Sequence, residues 1–328
     1  MMKETFHKKV FIGPMTLNVV DSVKKFNKKN NFFGLVPSRR QIECLSMGKG
    51  YVNNWSTEAF KSYTKDTLIL RDHAGPNQGH NLDDGIQSLE SDIKAGIQFI
   101  HIDPWKCSKS IDESIEETVK LINFCIDLNP SCYFEVGTES AIYPYGKNEL
   151  EYFLGSIEAK LKSRFDNIIY GVVQSGTQIL GLGNIGKFDF EKSKSMCDTV
   201  HKFGLMAKEH NSDYLSAEDI KNRIDAGVDS FNIAPEFGVL ETKAIFSLLS
   251  KNNKLLEQFK SLAYNSKKWK KWVNHNPTVL EAATICGHYV LSTEEFSKIK
   301  KALGNDNFDT YILSEIDKKL ENIYKVMQ

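Results

Sequence analysis

The sequence predicts an α/β protein: a (β/α)8 TIM barrel with a helical C-terminal extension. Three observations lead there. Short β-rich apolar runs alternate with longer stretches of helical period. The alternation completes eight cycles before residue 250, and beyond it strand-like runs almost vanish. Eight βα units match the usual length and repeat number of a closed barrel, whereas a doubly wound sheet more often stops at five or six strands.

The strand segments, in order, are 10–13, 32–36, 67–71, 97–102, 132–136, 167–173, 204–209 and 230–234. A helical segment follows each, at 17–27, 56–64, 84–95, 111–128, 147–163, 189–202, 216–226 and 238–250. The fourth and seventh helices have legible starts. Ser110-Ile111-Asp112-Glu113 and Ser216-Ala217-Glu218-Asp219 each offer an N-cap hydroxyl followed by an acidic first turn, which suits the free amides and the macrodipole. Residues 1–250 are therefore expected to form the barrel and 251–328 the extension, with helices at 296–303 and 309–327. Trp269 and Trp272, in Lys-Lys-Trp-Lys-Lys-Trp, are expected to share one helix face that docks on the barrel.

The bulk numbers exclude several classes. With 328 residues, 41% of them hydrophobic, the chain can bury one large core, so disorder is not the main state. Lys+Arg and Asp+Glu are equal at 42 each, which leaves no overall field for nucleic acid or an anionic membrane; any phosphate site must be local. The charged start lacks the apolar core of a secretory signal, and no segment reads as a membrane span, so a cytoplasmic location is expected. Six cysteines without a CxxC pair read as reduced core filler.

In such a barrel the loops after the strands form the active face. Those ends are rich in polar side chains here: Arg71-Asp72-His73-Ala74-Gly75-Pro76-Asn77 after strand three, His101-Ile102-Asp103 after strand four, Glu135 to Glu139 after strand five, and Lys208-Glu209-His210-Asn211-Ser212-Asp213-Tyr214 after strand seven. A lone His or Asp at a strand end is more often a structural hydrogen bonder. Together, however, His73, Glu135 and His210 make a nitrogen and oxygen set that suits zinc or a similar divalent ion with an open position. Asp72, next to His73, is the expected proton-transfer carboxylate, at a strand end where a slight backbone turn would let both side chains approach the same substrate; Asp103 is the second acid–base candidate. Arg39, Arg40, Asn77, His101, Gln178, Asn211, Asp213 and Glu236 are the expected substrate contacts, the arginine pair as forked donors to an anion.

Two weaker signals compete. Gly181-Leu182-Gly183-Asn184-Ile185-Gly186 spells GxGxxG, but no acidic strand end follows and it falls in the sixth unit, so it argues little for dinucleotide binding. Lys208 offers a Schiff-base alternative, with a buried ion pair as the structural explanation.

The chain resembles the class II tagatose-bisphosphate aldolase accessory-subunit family, relatives of metal-dependent ketose-bisphosphate aldolases that include sugar-phosphate 4-epimerases. The resemblance lies in Lys49-Gly50-Tyr51 with Ser56-Thr57-Glu58-Ala59-Phe60, Asp72-His73-Ala74-Gly75-Pro76-Asn77, Ile100-His101-Ile102-Asp103, Gly176-Thr177-Gln178, His210-Asn211-Ser212-Asp213-Tyr214 and Phe237-Gly238-Val239-Leu240-Glu241-Thr242. It implies Asp72 as the proton-transfer group, His73 and His210 as metal ligands, and Glu135 and Asp103 as further metal or acid–base groups. Where class II aldolases carry a histidine ligand after strand six and the accessory family a glutamate, this chain has Thr177-Gln178. The serine-aspartate-arginine run of the family's C-terminal part is missing too, so its phosphate grip does not carry over.

The expected function is a metal-dependent epimerase or aldolase acting on a ketose phosphate or related carbohydrate, by retro-aldol or deprotonation–reprotonation chemistry. The alternative, for which Gln178 speaks, is a non-catalytic accessory subunit that stabilises a class II aldolase. Expected partners are a small sugar phosphate and either a second copy of the chain or an aldolase subunit, with neither nucleic acid nor membrane.

Overall fold

All eight β-rich runs become parallel strands of one ring, in a computed structural model that describes residues 6–7, 9–138, 145–304 and 306–328. The strands are β1 (Val10–Ile12), β2 (Phe33–Leu35), β3 (Leu70–Ala74), β4 (Phe99–Ile102), β5 (Tyr133–Val136) and β6 (Ile168–Val173), then, after a small hairpin of β7 (Ile179–Leu180) and β8 (Gly183–Asn184), β9 (Met206–Glu209) and β10 (Ser230–Ile233). Their order is β2-β1-β10-β9-β6-β5-β4-β3. Parallel bridges Leu35–Ile69 and Ser38–Asp72 join the two ends, so the barrel is nearly closed.

Alternation along the strands sorts the core into two shells. Phe11, Leu70, Phe99 and Tyr170 turn inward and fill the barrel. Val10, Ile12, Phe33, Ile100 and Phe134 face out to the helices. Gly34 makes room for this filling: a Cβ there would lie 2.4 Å from the Phe11 ring.

The outer layer follows the expected segments: α1 (Leu17–Asn30), α2 (Thr57–Tyr63), α3 (Ile86–Ala95), α4 (Ile111–Leu128), α5 (Lys147–Leu161), α6 (Phe190–Lys202), α7 (Ala217–Asp225) and α8 (Pro235–Leu249). Ser110 and Ser216 cap α4 and α7 as their sequences suggest, each accepting a backbone N–H three residues on. The GxGxxG run forms the β7–β8 hairpin instead of a strand–turn–helix, so it presents no helix N-terminus to a pyrophosphate.

Past the barrel strands come α9 (Asn253–Asn265), α10 (Val279–Cys286), α11 (Glu294–Leu303) and α12 (Phe308–Val326). Helix α12 lies on α1 and α8, and α10 lies on α8 and α9. Ile312, Ile316, Leu320 and Ile323 form its buried stripe, at the spacing an amphipathic helix requires. The tryptophan pair departs from expectation. A short 3-10 turn ends at Lys271, so Trp269 enters the core beside Tyr264 while Trp272 leaves the turn and faces the barrel mouth. Among the described residues no helix is long and apolar enough to cross a membrane.

Glu241 on α8 ties that helix to the start of α1. It accepts hydrogen bonds from Thr16 Oγ1 and, at 2.8 Å, from Asn18 Nδ2 while only 2% exposed. Burial pushes its carboxyl up to about 7. Between the unfolded glutamate range and pH 7 the folded chain thus holds a proton that the unfolded chain has released, so this stabilisation is greatest at the acid end and is lost as pH rises through 7. Glu241→Gln is therefore expected to exceed the parent in stability at about pH 8, by roughly 1–3 kcal/mol, and to draw level near pH 5. Thermal unfolding at both pH values checks this; a difference that does not change with pH contradicts it.

Candidate active site

The site begins with a break in β3. Arg71 faces outward, fully buried, with Nε 2.7 Å from Asp92 on α3 and its other nitrogens on Thr57 and on the carbonyls of Pro37 and Ile42. This grip fixes the strand one residue before its irregularity. His73 then takes φ 46°, and the pairing with β4 shifts register between Arg71 and Ala74. A left-handed histidine is uncommon and costs backbone energy, which a functional demand on its neighbourhood would explain. The consequence is that Asp72 and His73, which strict alternation would send to opposite faces, both line one cavity of about 540 Å3 at the C-terminal mouth of the barrel.

Beneath them stand His101 at the end of β4 and His210 just after β9. Asp72, His73, His101 and His210 each place one potential donor atom within 4.8 Å of all the others. Asp72 Oδ1 lies 3.6 Å from His73 Nε2 and 3.8 Å from His101 Nδ1, and it is buried without a hydrogen-bond partner. Each imidazole is also held from outside the group: His73 Nδ1 is 2.6 Å from Asp103 Oδ2, His101 Nε2 is 3.0 Å from the Gly137 carbonyl, and His210 Nε2 is 2.5 Å from Glu135 Oε1. Outer oxygens that fix ring orientation are the usual support of histidines that bind a metal. Three nitrogens and one orphaned carboxylate oxygen suit a zinc-like ion.

Burial acts to raise the Asp72 carboxyl, but its nearness to His73, His101 and His210 leaves it below the ordinary aspartate value. Glu135 is likewise penalised by burial, yet Lys208 and the two histidines hold it well below the glutamate range, so it is ionised.

Several residues stand elsewhere than their sequence suggests. Glu135, expected as a ligand, lies outside the donor group because both of its oxygens are taken, one by His210 and the other by Lys208 at 2.7 Å. His101, expected to touch substrate, occupies the place in the donor group instead. Asp103, expected to move protons, stands behind His73, with its second oxygen on the Trp105 amide. Lys208 is completely buried, paired with Glu135, and 3.8 Å over the Phe11 ring, so no aldehyde or ketone reaches its amine.

The arginine pair divides. Arg39 is 2% exposed and clamped by Glu43 and, bidentately, by Asp83, so it is structural; Arg40 lines the cavity. Asn77 closes its own loop through Asp83 and Cys107, and Glu236 is committed to the Tyr214 amide and to Lys319 of α12. Asp213 accepts the amides of Ala234 and Glu236, and burial pushes its carboxyl up to about 7. Gln178 is exposed beside the β7–β8 hairpin, outside the residues lining the cavity, whereas Asn211 lines it. Glu139 lies outside the described residues. Sequence reasoning missed Tyr51, Lys106, Lys268, Lys271 and Tyr289, which also line the mouth; the one signal for the two lysines of the turn is that no acidic residue occurs between Glu257 and Glu281.

No family model and no curated protein matches the chain. Among solved structures it is similar to a probable tagatose 6 phosphate kinase from Sinorhizobium meliloti 1021, at 12% identity over 97% of this chain and 100% of that one, with a TM-score of 0.77. It is also similar to the fructuronate-tagaturonate epimerase UxaE from Cohnella laeviribosi, at 10% identity over 96% and 81% of the two chains and a TM-score of 0.63. A third likeness is to fructose-bisphosphate aldolase from Campylobacter jejuni, at 14% identity over 99% and 91%, with a TM-score of 0.59. At these identities the shared property is the fold.

Proposed function

We propose that this protein is a metal-dependent enzyme that cleaves or epimerises a ketose phosphate. One observation carries the reading: Asp72, His73, His101 and His210 converge within 4.8 Å, the first two lining a cavity large enough for a sugar phosphate and the two other histidines buried next to them. Neighbours of the same fold named as a fructuronate-tagaturonate epimerase and as a fructose-bisphosphate aldolase favour the same class of chemistry, as does the resemblance carried by the Asp72-His73 and His210-to-Tyr214 runs.

His73, His101 and His210 would hold the ion; the Asp72 carboxylate, which belongs to the same donor group, would keep one oxygen for proton transfer. A divalent ion held there supplies Lewis-acid polarisation of the substrate carbonyl and stabilises negative charge on its oxygen. Asp72, ionised and poorly partnered, accepts a proton from a hydroxyl or from the carbon next to the carbonyl. In the first case the O–H electrons become a new carbonyl, the carbon–carbon bond breaks and its electron pair passes to the oxygen of the substrate's original carbonyl; in the second the C–H electron pair passes to that same oxygen. The same carboxyl returns the proton when the fragments recombine or separate. Asp103 and Glu135 keep His73 and His210 oriented, and the left-handed backbone at His73 keeps Asp72 beside them.

The accessory-subunit reading rested on Gln178 as a missing ligand. His101 supplies a third imidazole without it, which favours the catalytic reading. Purified protein incubated with ketose phosphates and divalent ions is expected to convert at least one sugar, as followed by NMR, and Asp72→Asn is expected to slow conversion by at least about a hundredfold. Absence of turnover with every substrate and ion tried would count against an enzyme. Undiminished activity of Asp72→Asn would remove that carboxylate from the mechanism.

A further inference from the structure

The rim of the same cavity carries positive charge that no carboxylate among the described residues pairs with. Arg40 follows β2, and Lys268 and Lys271 belong to the turn between α9 and α10; all three line the cavity with Asp72 and His73. Among the described residues no carboxylate forms an ion pair with any of them: Arg40 spends only its Nε on the Gly79 carbonyl, at 3.3 Å, and the neighbouring acids have other partners. The Lys271 amine sits 4.3 Å over the Trp272 ring and 5.6 Å from the Tyr289 ring, which holds it at the cavity wall without neutralising it. Partial burial, and then the charges of Arg40, Lys268 and Lys106, lower that amine to about 8. The nearby His80 is lowered by burial and by Lys268 and Arg40 as well. These cations therefore repel one another in a concave site. In a chain with equal numbers of acidic and basic residues, such a local surplus is the arrangement an anionic ligand stabilises.

We propose that Arg40, Lys268 and Lys271 form the seat for a phosphate monoester group of the substrate, so that the turn after α9 carries substrate recognition. The identity of the sugar rests on the functional reading above; the anion seat does not. A phosphate dianion matches this set better than a carboxylate, because it offers three acceptor oxygens to a guanidinium fork and two ammonium groups and balances more of their charge. The seat lies at the rim and the donor group at the floor, so the substrate enters with its carbonyl end leading.

The test is calorimetric titration of protein purified without chelator. The probes are inorganic phosphate, a ketohexose monophosphate and a ketohexuronate. The variants are Arg40→Gln, the pair Lys268→Gln with Lys271→Gln, and the charge-keeping pair Lys268→Arg with Lys271→Arg. Both phosphates are expected to bind the parent saturably, at least tenfold more tightly than the uronate, and the glutamine variants to weaken them at least tenfold. The arginine pair is expected to restore most of the affinity, with metal content and melting temperature unchanged throughout. Equal affinity in the parent and the glutamine variants, or tighter binding of the uronate, overturns the seat. Phosphate binding that depends on these residues while no ketose phosphate reacts leaves the seat standing and sinks the enzymatic reading. Turnover whose KM ignores all three substitutions does the reverse.

Discussion

Replacing His73 and His210 together by alanine is expected, on the proposed metal-dependent function, to give a folded protein that binds no divalent ion and turns over about a thousandfold or more slowly, since the polarisation such an ion supplies is worth several kcal/mol. The fold should survive because neither ring belongs to the apolar core: His73 is partly exposed at the cavity, and His210 closes a polar layer above the Phe11 and Tyr170 filling. Metal content of protein purified without chelator, measured beside circular dichroism and turnover, separates the consequences. Unchanged metal content in the double variant would disprove these ligands. Loss of the ion with full activity would disprove the metal's part in the chemistry.

The barrel was legible because its strands are buried on both faces and so read as apolar runs, while its helices carry caps and period 3.6. The convergence of Asp72 and His73 was legible as well, since adjacent polar side chains at a strand end can meet only if the backbone turns, and it turns at His73. Which residues reach the centre was not legible. His101 and Glu135 are paired across β4 and β5, at the same height in the barrel. What separates them is Lys208, which comes from β9, two strands beyond β5, and captures the glutamate. Such a pairing is decided by strand register, and no local pattern encodes it. Arg39 and Arg40 divide for a comparable reason. Glu43, four residues on, is a local hint that Arg39 is taken, but Asp83 comes from a distant loop. The lysines of the α9–α10 turn belong to no βα unit, so the rule that places active residues at strand ends passes over them.

Glu135→Gln tests that ordering of ligand and support. The substitution leaves the Lys208 ammonium buried against Phe11 and Tyr170 without its carboxylate, and breaking a buried pair on one side costs about 3–5 kcal/mol. It also replaces the charged acceptor that orients His210, for which a 10–100-fold loss of metal affinity is the usual scale, roughly 1.4–3 kcal/mol. Adding Lys208→Met separates the two effects. The methionine fills the space between the two rings and removes the stranded charge, so most of the stability is expected to return. The affinity for metal is expected to stay low, because His210 still lacks its carboxylate. Chemical denaturation reports the first quantity and competition with a chelator of known affinity the second. If the single substitution abolished metal binding while leaving stability untouched, Glu135 would be a ligand in its own right and Lys208 a bystander. Stability that falls and recovers while metal affinity falls and does not is the pattern that a supporting carboxylate, shared between a lysine and a histidine, must produce.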